Sequence, residues 1–202
     1  MEQVAFGRHE PFSRGMPTPK GPPELKHLDH VLVSPLAIKR RIAELGVQLN
    51  QDYARKDLMV VAIVNGALIF TADLLRQMRS PLRLDCLRAS SYHTGTRAVG
   101  EPRIVDQMKL DVKDQHVLLV DDILDTGKTL AAVAGLIKHK GAASVKTCVL
   151  LDKKARRAVP FEADYVGFEI PNEFVVGYGL DFNERYRNLP CIGVLKPKYY
   201  AA

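Results

Sequence analysis

Three carboxylates and two hydroxyls lie close together near the middle of the chain. Residues 117–130 read VLLVDDILDTGKTL, in which Asp121, Asp122 and Asp125 are followed by Thr126 and Thr129. Ionised carboxylates accept hydrogen bonds and bind hard cations such as Mg²⁺, whereas threonine hydroxyls can donate to phosphate oxygens. A ligand with a phosphate at one end, sugar hydroxyls in the middle and a metal-bound polyphosphate would use all of these groups.

The residues around this cluster predict a strand, a turn and a helix. The apolar run 117–120 is typical of a strand buried on both faces of a parallel sheet, so we expect Asp121 and Asp122 at its carboxyl end. After a turn at residues 125–127, apolar residues recur with helical spacing from Leu130 onward. A helix N-terminus offers unpaired N–H groups and the positive end of the helix dipole, which together suit a phosphate.

Two other interpretations of this stretch are weaker. Gly127-Lys128-Thr129 also ends a Walker A loop, but that motif requires glycine five positions before Gly127, where this chain has Asp122. A carboxylate there would repel the phosphates. The other interpretation is a buried strand with an acidic end and a well-capped helix. Three aspartates beside Thr-Gly-Lys-Thr exceed what capping requires.

Two separate blocks resemble one family. The 117–130 stretch is similar to the phosphoribosyl-pyrophosphate loop of the type I phosphoribosyltransferases, and its Asp-Thr-Gly-Lys-Thr ending resembles the hypoxanthine-guanine branch. Residues 164–187, which read DYVGFEIPNEFVVGYGLDFNERYR, resemble the purine-binding end of that branch. The resemblance covers about residues 29–196. It implies an α/β fold with a mostly parallel sheet flanked by helices and a small hood built from N- and C-terminal segments.

The implied activity is purine salvage. Ribose 5-phosphate would pass from phosphoribosyl pyrophosphate to N9 of hypoxanthine or guanine, with xanthine as a third candidate base, giving the mononucleotide and pyrophosphate. Mg²⁺ is the implied cofactor, with Asp121 and Asp122 holding the ribose hydroxyls directly or through metal and water. Asp125 is the candidate general base or acid at the purine N7. The implied 5′-phosphate site consists of Asp125, Thr126, Gly127, Lys128 and Thr129.

Five other positions complete the implied pyrophosphate site. The Gly66 amide could bind an anion at a strand-to-helix junction, although a tight turn without a ligand explains Asn65-Gly66 equally well from the residues alone. In the family this junction is the pyrophosphate loop, with a cis peptide before the glycine, and many members have lysine where this chain has Asn65. Ser91 and Tyr92 resemble the flexible loop that closes over pyrophosphate. Arg187 matches the arginine that contacts pyrophosphate.

The purine site is also assigned by resemblance. Lys153 occupies the position of the lysine that reads the 6-oxo group, Phe174 would cover the purine face, and Val175 would offer backbone groups to the base edge. Asp181 matches a carboxylate associated with a second magnesium. From the residues alone, a lysine at a strand end is usually solvated, and Phe174 could equally be a core residue. The resemblance assigns no role to Asp152.

Composition predicts one soluble domain, residues 28–202, preceded by a proline-rich mobile or extended arm, residues 1–27. The chain has 202 residues, 47% of them hydrophobic and 26% charged. It has no apolar run long enough for a membrane span or a signal peptide, so we expect a cytoplasmic protein. We expect buried, reduced thiols at Cys86, Cys148 and Cys191.

The net charge of +6 suits a polyanionic small substrate as well as nucleic acid. The densest basic run, residues 153–157, contains no aromatic residue and is typical of a solvated turn. One alternative function is a phosphoribosyl-pyrophosphate-sensing regulator that binds RNA, against which the purine block argues. Another is a non-catalytic interaction protein, which we would expect to have lost the loop carboxylates. The resemblance also implies a homodimer or homotetramer.

The pattern of apolar residues predicts the remaining elements. A polar stretch, residues 91–106, is interpreted as a lid that excludes water. Helices are predicted at about 35–55 and 68–78, with a third ending near residue 141, and strands at 28–33, 59–64, 83–91, 145–151, 165–170, 174–180 and 191–195.

Overall fold

The computed structural model describes residues 21–90, 93–94, 97–98, 103–104 and 108–200. Its α-helices are α1 (Pro35–Asp52), α2 (Leu68–Leu75) and α3 (Lys128–His139). Its strands are β1 (Leu28–Val33), β2 (Leu58–Val64), β3 (Leu82–Ser90), β4 (His93–Thr94), β5 (Arg97–Ala98), β6 (Arg103–Ile104), β7 (His116–Leu124), β8 (Ser144–Asp152), β9 (Tyr165–Glu169), β10 (Val175–Val176) and β11 (Ile192–Leu195).

The main sheet has the strand order β6-β3-β2-β7-β8-β9. Five of these strands, β3, β2, β7, β8 and β9, are parallel, and the two-residue β6 pairs antiparallel at one edge. The predicted mostly parallel sheet is therefore confirmed. Parallel neighbours bring their carboxyl ends to the same edge, so the loops after β2, β7 and β8 meet there.

Helices cover both faces of this sheet. Along β2, Leu58 and Val60 pack on the side of α1 and α2, whereas Met59 and Val61 pack on the side of α3. Because side chains alternate along a strand, a strand buried on both faces must be apolar throughout, as the run 58–64 is. The central strands, buried on both faces, therefore carry the loops at the carboxyl edge.

A second sheet forms the hood. The strand order is β1-β11-β10, and both pairs are antiparallel. The N-terminal strand β1 therefore pairs along one edge of two C-terminal strands. The predicted hood is confirmed. Pro23–His27, which we placed in the mobile or extended arm, form a 3-10 helix, and the His27 ring stacks on Tyr199 at 4.1 Å between centroids.

Strand β7 is longer than predicted. Asp121 and Asp122 lie within it, because its pairing with β8 continues through Asp121↔Val149 to Leu124↔Asp152. The backbone of the acidic pair is thus held by sheet hydrogen bonds and does not belong to a loop. Helices α1 and α2 end earlier than predicted, at Asp52 and Leu75.

The prediction that Cys86 is buried is wrong. Cys86 is exposed, whereas Cys148 and Cys191 are buried free thiols as predicted. In β3 the inward positions are taken by Asp85 and Leu87. The Asp85 carboxylate accepts the backbone amides of Lys109 and Leu110 at 2.7 and 2.9 Å, which satisfies a buried charge and turns Cys86 outward.

None of the helices among the described residues is long and apolar enough to cross a membrane. Most of the predicted lid, including Ser91 and Tyr92, lies outside the described residues.

Candidate active site at the carboxyl edge of the sheet

A cavity of about 700 Å³ opens between the carboxyl edge of the main sheet and the hood. Its wall includes most of the residues predicted for the site: Asn65, Gly66, Asp121, Asp122, Asp125, Thr126, Gly127, Thr129, Lys153, Phe174, Val175, Asp181 and Arg187. Lys128 does not line this cavity, and the residue is exposed. Candidate phosphate, ribose and purine groups thus surround one space large enough for a small ligand.

The turn before α3 is built to offer backbone amides. Gly127 is the N-cap residue and has φ +83°, a left-handed conformation that glycine adopts without strain. Among the described residues, neither the Thr126 nor the Gly127 N–H donates a hydrogen bond. Unpaired amides at the N-terminus of a 12-residue helix favour an anion.

The acidic pair, Asp121 and Asp122, lines the cavity. Asp121 is buried and Asp122 half-buried. Burial, followed by repulsion from Asp122, raises the pKa of Asp121 well above its ordinary value. Burial also raises the pKa of Asp122, while its hydrogen bond with Asp121 and the charge of Arg187 act in the opposite direction. Among the described residues neither carboxylate forms an ion pair, and Arg187 is itself paired with Asp181 and Glu184, so the acidic pair lacks a counter-charge in direct contact.

A divalent cation would supply that counter-charge. Among the described residues, no group of three or more His, Cys, Asp or Glu side chains is arranged to hold a metal. The two carboxylates of the acidic pair suit Mg²⁺, because this ion keeps several waters and typically binds through one or two carboxylates and substrate phosphate oxygens. Asp181, the third residue predicted for metal, pairs with Arg187 at 2.9 Å and accepts the Glu184 amide at 2.9 Å, and its metal role stays a prediction.

The β2–α2 junction packs directly on the acidic pair. A Cβ at Gly66 would overlap the Asp122 carboxylate, and a Cβ at Gly179 would overlap the Gly66 carbonyl. The Val64–Asn65 peptide is cis. Three segments distant in sequence therefore approach closely, and only residues without a side chain allow it at Gly66 and Gly179.

Asp125 has one oxygen free. Its Oδ1 is buried and has no hydrogen-bond partner among the described residues, while Oδ2 lies 3.3 Å from an Arg156 guanidinium nitrogen. A buried acceptor without a donor is costly unless a ligand supplies one. Asp125 therefore fits the role of accepting a proton or hydrogen bond from a bound molecule.

Lys153 lies deeper than a solvated lysine. The residue is only 5% exposed, and its Nζ donates to the Glu173 carbonyl at 2.8 Å. Burial lowers the pKa of Lys153, and the charge of Asp125 acts against that shift. Two further Nζ hydrogens are available to an acceptor in the cavity.

Aromatic side chains from the hood form another part of the wall. Phe174 contacts Phe182 edge-on, with centroids 5.6 Å apart, and packs at a tilt against Tyr200 at 4.7 Å. Val175 is buried in β10, beside Phe174. Phe174 and Phe182 both line the cavity, so this side offers aromatic surface on which a planar base could stack.

Arg187 crosses the hood side of the cavity. Its guanidinium donates to the Gly179 carbonyl at 2.8 Å and pairs with Asp181 and Glu184. The Gly179 carbonyl belongs to the segment that packs on Gly66, so Arg187 also stabilises the side of the wall formed by the β2–α2 junction.

The interpretation of residues 153–157 as a solvated basic turn is wrong. Arg156 pairs with Asp125, and the Arg157 side chain is 13% exposed and pairs with the Asp152 side chain, which is 2% exposed. The sequence does contain a signal for this: an aspartate at the end of an apolar strand, directly before a basic run, needs a cationic partner if the strand is buried.

The comparisons with known proteins agree with this geometry. A family model described as "Phosphoribosyl transferase domain" matches residues 32–183. A hypoxanthine-guanine phosphoribosyltransferase from Streptococcus pneumoniae is 48% identical over 171 residues, which cover 85% of this chain and 95% of that protein. Another similar protein is the bifunctional protein TilS/HprT of Listeria innocua, 47% identical over 174 residues. The aligned region spans only 27% of that longer relative.

Solved structures give the same result. The crystal structure of a hypoxanthine phosphoribosyltransferase from Staphylococcus aureus has a TM-score of 0.84 and 42% identity, covering 88% of this chain and 97% of that one. A Trypanosoma cruzi hypoxanthine phosphoribosyltransferase has a TM-score of 0.82 and 37% identity, covering 89% and 97%.

Proposed function

The chain belongs to the hypoxanthine-guanine branch of the phosphoribosyltransferase family, and from that membership we propose that it salvages 6-oxopurines. Ribose 5-phosphate is transferred from phosphoribosyl pyrophosphate to N9 of hypoxanthine or guanine. The products are the purine mononucleotide and pyrophosphate. One observation carries the proposal: an acidic pair and an amide-presenting turn share a cavity with a buried lysine and a hood aromatic.

Each part of the ligand has matching groups. The amides of Thr126 and Gly127 and the hydroxyls of Thr126 and Thr129 bind the 5′-phosphate, while Asp121 and Asp122 hold the ribose end. The Gly66 amide and Arg187 line the same cavity and stabilise the negative charge that builds on the leaving pyrophosphate. The reacting carbon is thereby positioned without a covalent intermediate.

The purine binds toward the hood. Lys153 donates to its 6-oxo group, Phe174 covers one face, and Asp125 Oδ1 accepts the hydrogen bond or proton at N7. Bound Mg²⁺, held by Asp121, Asp122 and substrate oxygens, would neutralise negative charge on the pyrophosphate. A homodimer or homotetramer is part of the proposal and can be measured by sedimentation.

A magnesium-dependent assay tests the proposed reaction. The purified chain is incubated with phosphoribosyl pyrophosphate and, separately, with hypoxanthine, guanine, xanthine, adenine and uracil, and mononucleotide formation is followed. We expect turnover with 6-oxopurines and none with adenine or uracil, and the relative rates give the preference at the purine 2-position. Absence of turnover with every base would refute the proposal.

A further inference from the structure

Segment 152–158 lies directly behind the 125–129 turn and binds its carbonyls. Three consecutive carbonyls of the chain, those of Leu124, Asp125 and Thr126, all accept hydrogen bonds from this segment. The Arg157 guanidinium donates to Leu124 at 3.1 Å and to Asp125 at 2.5 Å, and the Ala158 amide donates to Thr126 at 2.9 Å.

Fixing these carbonyls also fixes the amides that follow them. In a trans peptide, the C=O of one residue and the N–H of the next lie in one plane and point in opposite directions. A donor on the Asp125 carbonyl therefore orients the Thr126 N–H, and a donor on the Thr126 carbonyl orients the Gly127 N–H. Both N–H groups face away from segment 152–158 and have no acceptor among the described residues.

Asp152 holds the arginine in place. Its carboxylate pairs with the Arg157 guanidinium, and their side chains are 2% and 13% exposed. A buried ion pair contributes little net stability, so its presence is better explained by a geometric requirement. Arginine meets that requirement because one planar fork reaches two carbonyls and a carboxylate together, which a lysine ammonium on a flexible stem does not.

We propose that the Asp152–Arg157 pair is a positioning device for the anion site: it orients the amides of the 125–129 turn before a phosphate arrives. Arg157 itself is a positioning residue, since it acts through the loop backbone. The same contact fixes the backbone of Asp125, whose side chain faces the purine in the proposed reaction. The inference rests on the proposed function only in taking the anion to be a ribose 5-phosphate group.

Arg157→Lys is the main test, because it retains the charge beside Asp152 but not the fork. Ribose 5-phosphate is the binding probe, since it carries the phosphate without the purine. We expect its Kd and the KM for phosphoribosyl pyrophosphate to rise about tenfold, as expected when one or two charge-assisted hydrogen bonds are lost. We expect the KM for guanine at saturating donor to stay within about twofold, because hydrogen-bond losses at the turn leave the Lys153 and Phe174 side chains unchanged.

Arg41→Lys is the matched control. Arg41 also donates to two consecutive carbonyls, those of Val166 and Gly167, at 2.8 and 3.0 Å, but it does not line the cavity. We expect Arg41→Lys to retain wild-type values for both ligands. An equal loss in Arg41→Lys and Arg157→Lys would mean general loosening and would overturn the inference.

A second variant tests the inference if Arg157→Lys does not fold. Arg157→Met combined with Asp152→Leu removes both buried charges with similar volume, a change that cores often tolerate. We expect the same selective loss of ribose 5-phosphate affinity. A folded variant of either kind that binds ribose 5-phosphate like the wild type would refute the inference. Wild-type binding of ribose 5-phosphate without turnover of any base would instead refute the proposed function, while the Arg157 dependence of that binding would still support this inference.

Discussion

At the scale of single residues, the two carboxylate oxygens of Asp125 have different surroundings. One carboxylate oxygen is engaged by Arg156 and the other is buried without a donor among the described residues. An aspartate held in this way accepts a hydrogen bond only when a ligand is bound. Its contribution should therefore be larger in the reacting complex than in the free protein.

Replacing Asp125 with asparagine should reduce turnover much more than binding. We expect kcat to fall about 10²- to 10³-fold, a typical loss when a general base or acid is removed, while the Kd of the mononucleotide changes little. Steady-state kinetics and calorimetric titration measure the two effects. Unchanged kcat would exclude the proton-transfer role of Asp125.

The acidic pair makes stability depend on pH. Because burial raises the pKa of Asp121, the folded chain keeps a proton at pH values where an unfolded aspartate, with a pKa of about 3.9, has released it. Unfolding then releases a proton, so the free energy of unfolding falls as pH rises from about 3.9 to the raised folded pKa. Above that pKa the full penalty for the buried charge is present.

Asp121→Asn should therefore flatten this dependence in the absence of Mg²⁺. We expect a higher Tm than wild type at pH 7 with EDTA present, and a smaller difference near pH 4. Asp57→Asn is the control, because Asp57 is exposed directly before β2, at the opposite edge of the sheet. If thermal melts at several pH values show parallel curves for all three proteins, burial of Asp121 does not control the pH dependence.

At the scale of elements, the strand-to-helix junctions determine the site more than the elements themselves. The turn before α3 depends on its backing by segment 152–158, and the β2–α2 junction depends on contact with Asp122. At the first junction the Arg157 guanidinium and the Ala158 amide bind the carbonyls of the turn, and at the second a glycine backbone lies directly against a carboxylate. Even a small substitution at these junctions should therefore lower stability and turnover.

Gly66→Ala tests this at the β2–α2 junction. The added Cβ would overlap the Asp122 carboxylate, so either the junction or the acidic pair must move. We expect a loss of stability of about 1–3 kcal/mol, as in other overpacked sites, together with loss of turnover. Thermal unfolding and the magnesium-dependent assay measure both effects.

Gly135→Ala is the matched control for this substitution. Gly135 lies inside α3, and a Cβ there would meet nothing within 4 Å. Alanine should raise stability by about 0.5–1 kcal/mol because it lowers the entropy lost on helix formation. Equal effects of the two substitutions would mean that the Gly66 contact has no special role.

At the scale of the whole molecule, the cavity joins two sheets that have separate hydrogen-bond networks. The main sheet supplies the acidic pair and the 125–129 turn, and the hood side of the cavity supplies Phe174 and Arg187. A ligand that spans the cavity contacts both. Binding should therefore stabilise the hood and the main sheet together.

Thermal unfolding can measure this coupling. A 5′-mononucleotide at about 100 times its Kd should stabilise the folded state by about 2.7 kcal/mol. A domain of this size gains about 2–4 °C per kcal/mol, so we expect a rise in Tm of about 5–10 °C.

The chain has no tryptophan, so near-UV circular dichroism reports its tyrosines, of which Tyr178, Tyr186, Tyr199 and Tyr200 lie in or beside the hood. Separate near- and far-UV transitions with ligand bound would contradict the coupling.

Much of the fold and family could be predicted from local pattern. The strand at 117–120, the helix after Gly127 and the helix that begins at Pro35 each follow from the periodicity or chemistry of neighbouring residues. The purine block made phosphoribosyl transfer, and not RNA-binding regulation, the leading interpretation, and the comparisons support the transferase. These features are local, so the order of residue types is sufficient to specify them.

Tertiary structure alone decided which charges are buried and what they contact. Residues 153–157 resemble a solvated turn in composition. Composition does not reveal that Arg157 forms a buried ion pair with Asp152 or that Arg156 pairs with Asp125. Cys86 faces outward because Asp85 takes the inward position and binds amides 24 and 25 residues away. Burial and pairing depend on residues far apart in the chain, and an ionisable side chain has no fixed role until its partners are known.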